Sequence, residues 1–126
     1  MSPSDVLFHC TVPGKPVPAS RPRVTRFGTY YGKTYKAYRK VLAMMIVSAR
    51  GKAWGIDCPV RVEIGVCGAR ADSDLDNHAK AFLDAAVNVG LLARDDLRVV
   101  QQLSVAVLSG DPRMVASIFA LYEEER

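Results

Sequence analysis

The clearest element of the sequence is residues 60–67, which read Val60-Arg61-Val62-Glu63-Ile64-Gly65-Val66-Cys67. Apolar residues occupy every second position, and this period of two predicts a strand with one buried face. The strand leads into a carboxylate-rich loop, residues 68–76. A helical pattern follows, which we expect to begin near Asn77 as an N-cap and to end before Gly90. This strand–loop–helix unit is the most regular part of the sequence.

Outward from this unit, strand and helix patterns alternate along the chain. Residues 6–12 predict a first strand, residues 34–50 a helix with one apolar face, and residues 98–108 and 114–122 two further strands. We expect the last two to form an antiparallel hairpin around residues 109–112. The order β-α-β-α-β-β predicts an α+β (mixed α/β) fold, in which residues 1–126 form one small domain. Its mixed sheet carries two main helices on one face.

Residues 13–34 interrupt this alternation with four prolines, three glycines and many basic side chains. So many residues that break regular structure predict a long, basic, extended loop. Charge is also unevenly distributed. Residues 1–50 hold nine Lys and Arg against one acid, a net charge of +8, whereas residues 51–126 hold eight against twelve, a net charge of −4. This asymmetry indicates either a polyanionic partner or a solvated basic face.

Several classes of protein are excluded by composition. The longest apolar run, residues 41–47, is far shorter than the roughly 20 residues that span a bilayer. The first residues lack the pattern of a signal peptide, so we expect no membrane association. Three cysteines without a Cys-x-x-Cys pair predict free thiols in a reducing cytoplasm rather than a metal or disulfide role.

The chemistry is concentrated in residues 72–80, Asp72-Ser73-Asp74-Leu75-Asp76-Asn77-His78-Ala79-Lys80, followed by Asp95-Asp96. Carboxylates this close repel one another unless a cation compensates, and hard oxygen ligands beside a helix start suit Mg²⁺. In an extended segment Asp74 and Asp76 would point the same way. Helical spacing then adds Lys80 and Asp84 on one face.

Two other interpretations of this loop are a calcium-binding loop and a simple helix cap. An EF-hand calcium loop is excluded, because its sixth position would be Asn77 instead of Gly and its twelfth Leu83 instead of Glu. An acidic loop that only caps a helix and stays in water remains open. We expect His78 to be a surface or second-layer residue beside the site.

These residues resemble the RusA family of Holliday junction resolvases, whose pattern is Asp-x-Asp-Asn-x-x-Lys opening a helix, followed by an Asp-Asp pair. The match is residues 74–80 and Asp95-Asp96, and residues 14–18, 21–23 and the helix at 34–50 are similar to the family's N-terminal half. The resemblance implies that Asp74, Asp76 and Asp96 bind metal and that Lys80 is the essential lysine. Supporting positions are Asn77, Asp84 and Asp95.

The resemblance also implies an activity. It predicts a Mg²⁺-dependent endodeoxyribonuclease, with Mn²⁺ as a candidate substitute, that resolves four-way DNA junctions by paired symmetric nicks in recombination and repair. The enzyme would be a homodimer in the cytoplasm of a bacterial or phage-infected cell. Phosphates would be contacted by the basic residues of the loop and first helix, namely Arg21, Arg23, Arg26, Lys33, Lys36, Arg39 and Lys40.

Departures from the family pattern concern substrate preference. Arg98 stands where the family often has Gln, and Ala19 stands where it often has Lys. A third departure, the additional acid Asp72, concerns the register of the motif, which Asn77 and Lys80 anchor. Two alternatives to a junction resolvase stay open. The chain would otherwise be a catalytically silent DNA-binding module, or a nuclease for flaps or forks that uses the same metal site.

Overall fold

The computed structural model describes residues 5–20, 23–26, 28–30 and 32–122. Its elements are β1 (Val6–Pro13), β2 (Arg23–Thr25), β3 (Gly28–Tyr30), α1 (Lys33–Ala49), β4 (Val60–Cys67), α2 (Leu75–Asn88), β5 (Val100–Val107) and β6 (Arg113–Ala120). The predicted fold class is confirmed, because the main sheet and its two helices follow the order β-α-β-α-β-β. Strands β2 and β3 are an additional pair.

The main sheet is mixed and has the order β1-β6-β4-β5. Strand β6 is antiparallel to both β1 and β4, while β5 is parallel to β4. The predicted hairpin of the last two strands is therefore wrong, because β5 and β6 lie on opposite sides of β4. The link between them crosses the end of β4, where the Leu108 N–H donates to the Val66 carbonyl at 2.7 Å.

Burial explains which of the two strands takes the interior position. Strand β6 buries Met114, Ala116 and Ile118 on one face, so it gains by pairing on both sides. Strand β5 is largely exposed and includes polar residues such as Gln101 and Ser104. The more apolar strand fills the sheet, and the more polar strand is left at its edge.

Both helices cover the same face of this sheet. Cys10, Ala116 and Ile64 form one buried row across β1, β6 and β4, whereas the adjacent row of His9, Ser117 and Glu63 is exposed or half-buried. The buried rows join the apolar faces of α1 and α2 in one core; its fully buried helix residues include Leu42, Ile46 and Phe82. This confirms the expected packing on one face.

Two local predictions are corrected. Helix α2 begins at Leu75 with Asp74 as the N-cap, two residues before the expected start at Asn77. It ends as predicted, since Gly90 follows with φ +84°. Within the predicted loop 13–34, β2 and β3 pair antiparallel. Val24, Thr25 and Thr29 favour strands, but the neighbouring prolines and glycines outweighed them in the sequence pattern, so no strand was predicted here.

The loop before β2 is tied to α2, because the Ala19 N–H donates to the Asn77 carbonyl at 2.9 Å. The three cysteines are free thiols, as predicted. Among the described residues, no helix has the length and apolar character needed to cross a membrane.

Candidate active site and nucleic-acid interface

The first part of the candidate site is the start of α2. Asp74 has extended dihedral angles (φ −93°, ψ 140°), and its side chain makes no capping hydrogen bond. Asp76 lies in the first helical turn, and both residues are exposed. The expectation that an extended chain aligns these carboxylates is therefore wrong for Asp76. The positive end of the helix dipole still favours both negative charges.

The loop before Asp74 is fixed by a buried histidine. The Ser73 hydroxyl donates to the Arg70 carbonyl at 2.6 Å, so the contact of 2.9 Å between Ser73 Oγ and His78 Nε2 requires the ring to donate. His78 is only 1% exposed, and its Nδ1 has no hydrogen-bond partner. Burial lowers the pKa of His78, which favours the neutral ring. Of the two predicted positions for His78, the surface is wrong, since the ring packs under the loop beside the candidate site.

The additional acid Asp72 is neutralised locally. Arg70 donates to both of its carboxylate oxygens, at 3.0 and 2.7 Å. These hydrogen bonds hold the pKa of Asp72 below its ordinary value. Because Asp72 is paired with Arg70, the candidate metal ligands at this end of α2 are Asp74 and Asp76. This agrees with the register of the motif.

Lys80 lies one turn further along α2. Its ammonium group is 3.4 Å from Asp84, and the lysine side chain is 62% exposed. A shallow groove brings these two residues together with Arg39 of α1 and Asp95 of the turn before β5; Val87 and Asn88 complete its lining. The structure thus places Lys80 and Asp84 on one face of α2, as helical spacing predicts, and it adds Asp95 and Arg39; Asp74 and Asp76 do not line this groove.

Asp96 is held by a neighbour that the sequence pattern did not assign to the site. Arg98 Nε lies 3.2 Å from both carboxylate oxygens, Arg98 Nη2 donates to Oδ2 at 2.6 Å, and the Arg98 backbone N–H donates to Oδ1 at 3.0 Å. These bonds keep the pKa of Asp96 low. The only signal in the sequence was the Asp-x-Arg spacing.

The metal expected from the motif fits these residues in part. Asp74 is the N-cap of α2, and Asp96 comes eight positions after its last residue. The whole of α2, 14 residues and about 21 Å long, therefore lies between them along the chain. Among the residues that the structure describes, no three His, Cys, Asp or Glu side chains are placed to hold a metal ion. Mg²⁺, however, often takes one or two protein carboxylates and completes its shell with water and phosphate. The exposed pair Asp74 and Asp76 suits that requirement.

The predicted DNA-binding cations divide into three groups. Lys36, Arg39 and Lys40 line a groove on α1 that also contains Ala43 and Asn88. Because Arg39 and Asn88 line the groove of Lys80 as well, the two grooves form one surface, which we call the α1–α2 groove.

The other cations lie away from that groove. Lys33, at the start of α1, lines a cavity of about 530 Å³ with Lys15 and Arg70, whose apolar lining includes Tyr35. Arg26 is exposed in the turn between β2 and β3. Arg23 lies in β2, but its side chain, like the whole of Arg21, falls outside the described residues. The sequence pattern did not indicate the cavity, because its lining comes from three separate segments.

Comparison with known proteins identifies the family of the chain. No curated protein is similar enough to the chain to count as a relative. The family described as endodeoxyribonuclease RusA matches residues 13–118, which include the basic loop, both helices and every acidic position of the motif. With its carboxylates at the start of α2 and its lysine in a basic groove, the chain belongs to the RusA family of endodeoxyribonucleases.

Proposed function

We propose that this nuclease resolves four-way DNA junctions in a divalent-metal-dependent reaction. Each subunit of a homodimer makes one of two symmetric nicks, and the reaction serves recombination and repair in the cytoplasm of a bacterial or phage-infected cell. One observation carries the proposal: the cations of α1 and the motif lysine Lys80 of α2 line the same groove. A DNA backbone that follows Lys36 and Lys40 is thereby led to Lys80.

The basic groove has a direct role in binding. Each lysine or arginine that neutralises a phosphate releases condensed counterions, which supplies affinity without regard to base sequence. Arg39 adds a planar guanidinium able to contact phosphate through two N–H groups. Its position between Lys36 and Lys80 makes the groove a continuous track for phosphates.

Lys80 is placed for a role in the reaction itself. Its partner Asp84 holds the ammonium group on the exposed side of α2. An ion pair this exposed contributes little to stability, so a phosphate displaces Asp84 at small cost. The ammonium group then stabilises the additional negative charge that develops on the phosphoryl oxygens during hydrolysis.

Asp74 and Asp76 would hold the metal, with a DNA phosphate as a further ligand. A bound Mg²⁺ supplies a more acidic water and neutralises charge on the phosphate. Asp96 is the third expected ligand, but it is paired with Arg98, and among the described residues no three carboxylates are placed to hold one metal ion. A metal shared by all three therefore needs the turn before β5 to move or a second subunit to bring its own Asp96. The proposed homodimer allows the latter.

The test is cleavage of a synthetic four-way junction with Mg²⁺, beside a linear duplex and a flap. We expect paired, ligatable nicks on the junction from the native chain and a loss of at least about 100-fold in Asp76→Asn, the scale of effect seen when catalytic electrostatics are removed. Asp72→Asn is the matched control, because it removes an equal charge two positions from Asp74 but from a carboxylate already paired with Arg70.

The other outcomes separate the alternatives. Binding without cutting in Mg²⁺ or Mn²⁺ would indicate a silent module, and cleavage of the flap alone would indicate a flap nuclease. Equal activity of Asp76→Asn and the native chain would refute the assignment of the site.

A further inference from the structure

An open cavity of about 530 Å³ lies beside the first turn of α1. We call it the loop cavity, because loops supply most of its lining: residues 15–18 with Ser20, residues 32–35, and Arg70 with Asp72 and Ser73. None of these residues lines the α1–α2 groove. Sites that enclose a small organic ligand typically have volumes of about 300–1,000 Å³. The loop cavity is therefore large enough to be a separate binding site.

One wall of the loop cavity is the segment 15–18, which is held at both ends. Before it, the Gly14 N–H donates to the Pro112 carbonyl at 3.0 Å, and after it the Ala19 N–H is bonded to α2. Two prolines within the segment restrict its φ angles. This wall is therefore formed before a ligand binds, which lowers the entropy cost of binding.

The other two walls are equally fixed. In the loop before α2, Ser73 is bonded to the Arg70 carbonyl and to the buried ring of His78, and Arg70 holds Asp72 through two hydrogen bonds. In the first turn of α1, Tyr35 is only 3% exposed and belongs to the core. The loop cavity is thus a built site that joins three anchored segments.

The lining combines apolar side chains with net positive charge. Arg70 and Asp72 neutralise each other, and no other acidic residue of the described chain lines the cavity. Its charge therefore comes from Lys15 and Lys33, which are exposed. Among the described residues, neither lysine forms an ion pair. Such a lining repels metal cations and suits a ligand that has both an apolar part and a negative charge.

A nucleotide of the bound DNA has this combination of properties. Its base is planar and largely apolar on both faces, and its phosphate is negatively charged. The loop cavity also lies where a DNA strand must pass, since its lining residue Ser73 directly precedes Asp74, a candidate metal ligand. A paired base cannot leave the duplex without a cost in unpairing and unstacking, whereas an unpaired base has little of this cost.

We propose that the loop cavity binds one unpaired nucleotide of the DNA beside the phosphate that is cut. The base enters between the segment 15–18 and the first turn of α1, where apolar contacts remove it from water. Lys15 and Lys33 contact its phosphate, and Asp72 makes no contact with it. This inference rests on the proposed function and names the feature of branched DNA that the site selects.

The test is the affinity for two labelled four-way junctions, measured by fluorescence anisotropy without divalent metal. The junctions are identical except that one carries a single unpaired nucleotide at the branch point. The native chain is expected to bind the latter at least about fivefold more tightly, the lower end of the effect of one stacking contact to a base. Equal affinities for the two junctions would refute the proposal.

Thr34→Trp tests whether the loop cavity is responsible for this preference. Thr34 is an exposed residue of α1 that lines the cavity, so a large ring there fills the cavity without changing its charge. The variant is expected to bind the two junctions with equal affinity. Ser48→Trp is the matched control, because Ser48 is exposed on the same helix and lines neither the cavity nor the groove. A native preference in Thr34→Trp, or its loss in Ser48→Trp, would overturn the assignment.

A second measurement on the native chain covers the case in which Thr34→Trp does not fold. The unpaired nucleotide is replaced by 5-iododeoxyuridine, the complex is irradiated, and the crosslinked peptide is identified by mass spectrometry. The crosslink is expected within residues 15–20 or 32–35. Crosslinks confined to other segments of the chain would refute binding of the base in the loop cavity.

Failure of this inference is distinguishable from failure of the proposed function. A native chain that cuts the fully paired junction in Mg²⁺ but shows no preference for the unpaired nucleotide would refute the role of the loop cavity alone. A native chain that prefers the unpaired nucleotide but cuts neither junction in Mg²⁺ or Mn²⁺ would refute the proposed function and leave the nucleotide site standing.

Discussion

The α1–α2 groove predicts a specific salt dependence of DNA binding. Lys36 and Lys40 are exposed and line this groove, so each is expected to neutralise one phosphate. Each contact contributes about 0.9 to the slope of log K against log salt. The variant Lys36→Ala/Lys40→Ala should therefore have a slope shallower by about 1.8. Between 50 and 200 mM salt, the affinity of the native chain should fall about 12-fold more than that of the variant.

The assay is fluorescence anisotropy of a labelled four-way junction titrated at four or more salt concentrations, without divalent metal so that no cleavage occurs. Lys52→Ala/Arg113→Ala is the matched control, since it removes the same charge from residues that do not line the groove. We expect its slope to equal that of the native chain. Equal slopes for the groove variant and the native chain would refute the phosphate track, whereas equal losses in both variants would show that only net charge matters.

Two further predictions concern single side chains of the site. Arg98→Gln removes the guanidinium hydrogen bonds, which are the largest cause of the lowered pKa of Asp96, and leaves the backbone N–H bond in place. The carboxylate should therefore titrate at higher pH in carbon-detected NMR, and an unchanged titration would show that the Arg98 side chain does not hold Asp96 in solution. The buried ring of His78 has a pKa below the ordinary value of 6.5, so the unfolded chain binds the proton more readily and the free energy of unfolding should fall as the pH drops below about 6.5. His78→Leu should remove this part of the pH dependence in urea titrations at pH 7 and pH 5, and an unchanged dependence would contradict the assignment.

Local patterns were sufficient for the elements but not for their order in space. Strand β4 and the end of α2 at Gly90 follow directly from alternation and from the left-handed conformation that Gly90 adopts. The placement of β6 does not. A five-residue link, residues 108–112, is compatible with a hairpin or with a crossing over β4. The burial of Met114 and Ile118, which favours the crossing, depends on the whole sheet.

The same limit applies to the candidate site. The helical spacing correctly predicted Lys80 and Asp84 on one exposed face of α2, but it put Asp76 in an extended loop instead of the first helical turn. It did not indicate that Asp96 is paired with Arg98, because a pair formed by residues two apart depends on the turn that joins them. Nor did it indicate the burial of His78, which follows from the loop that Ser73 and Arg70 fold over the ring.

The opposite charges of the two halves of the chain have a physical use at the groove. Carboxylates that face DNA repel its phosphates before a metal is bound, so a nuclease of this kind needs compensating cations nearby. Helices α1 and α2 pack against each other, and packed helices lie about 8–10 Å apart, close to the Debye length of about 8 Å at physiological salt. Cations on α1 are therefore near enough to offset the repulsion from Asp84 and Asp95 without neutralising them. Under the proposed function, a cation farther from the groove would offset less of this repulsion, because salt screens exposed charges that are separated by more than about a Debye length.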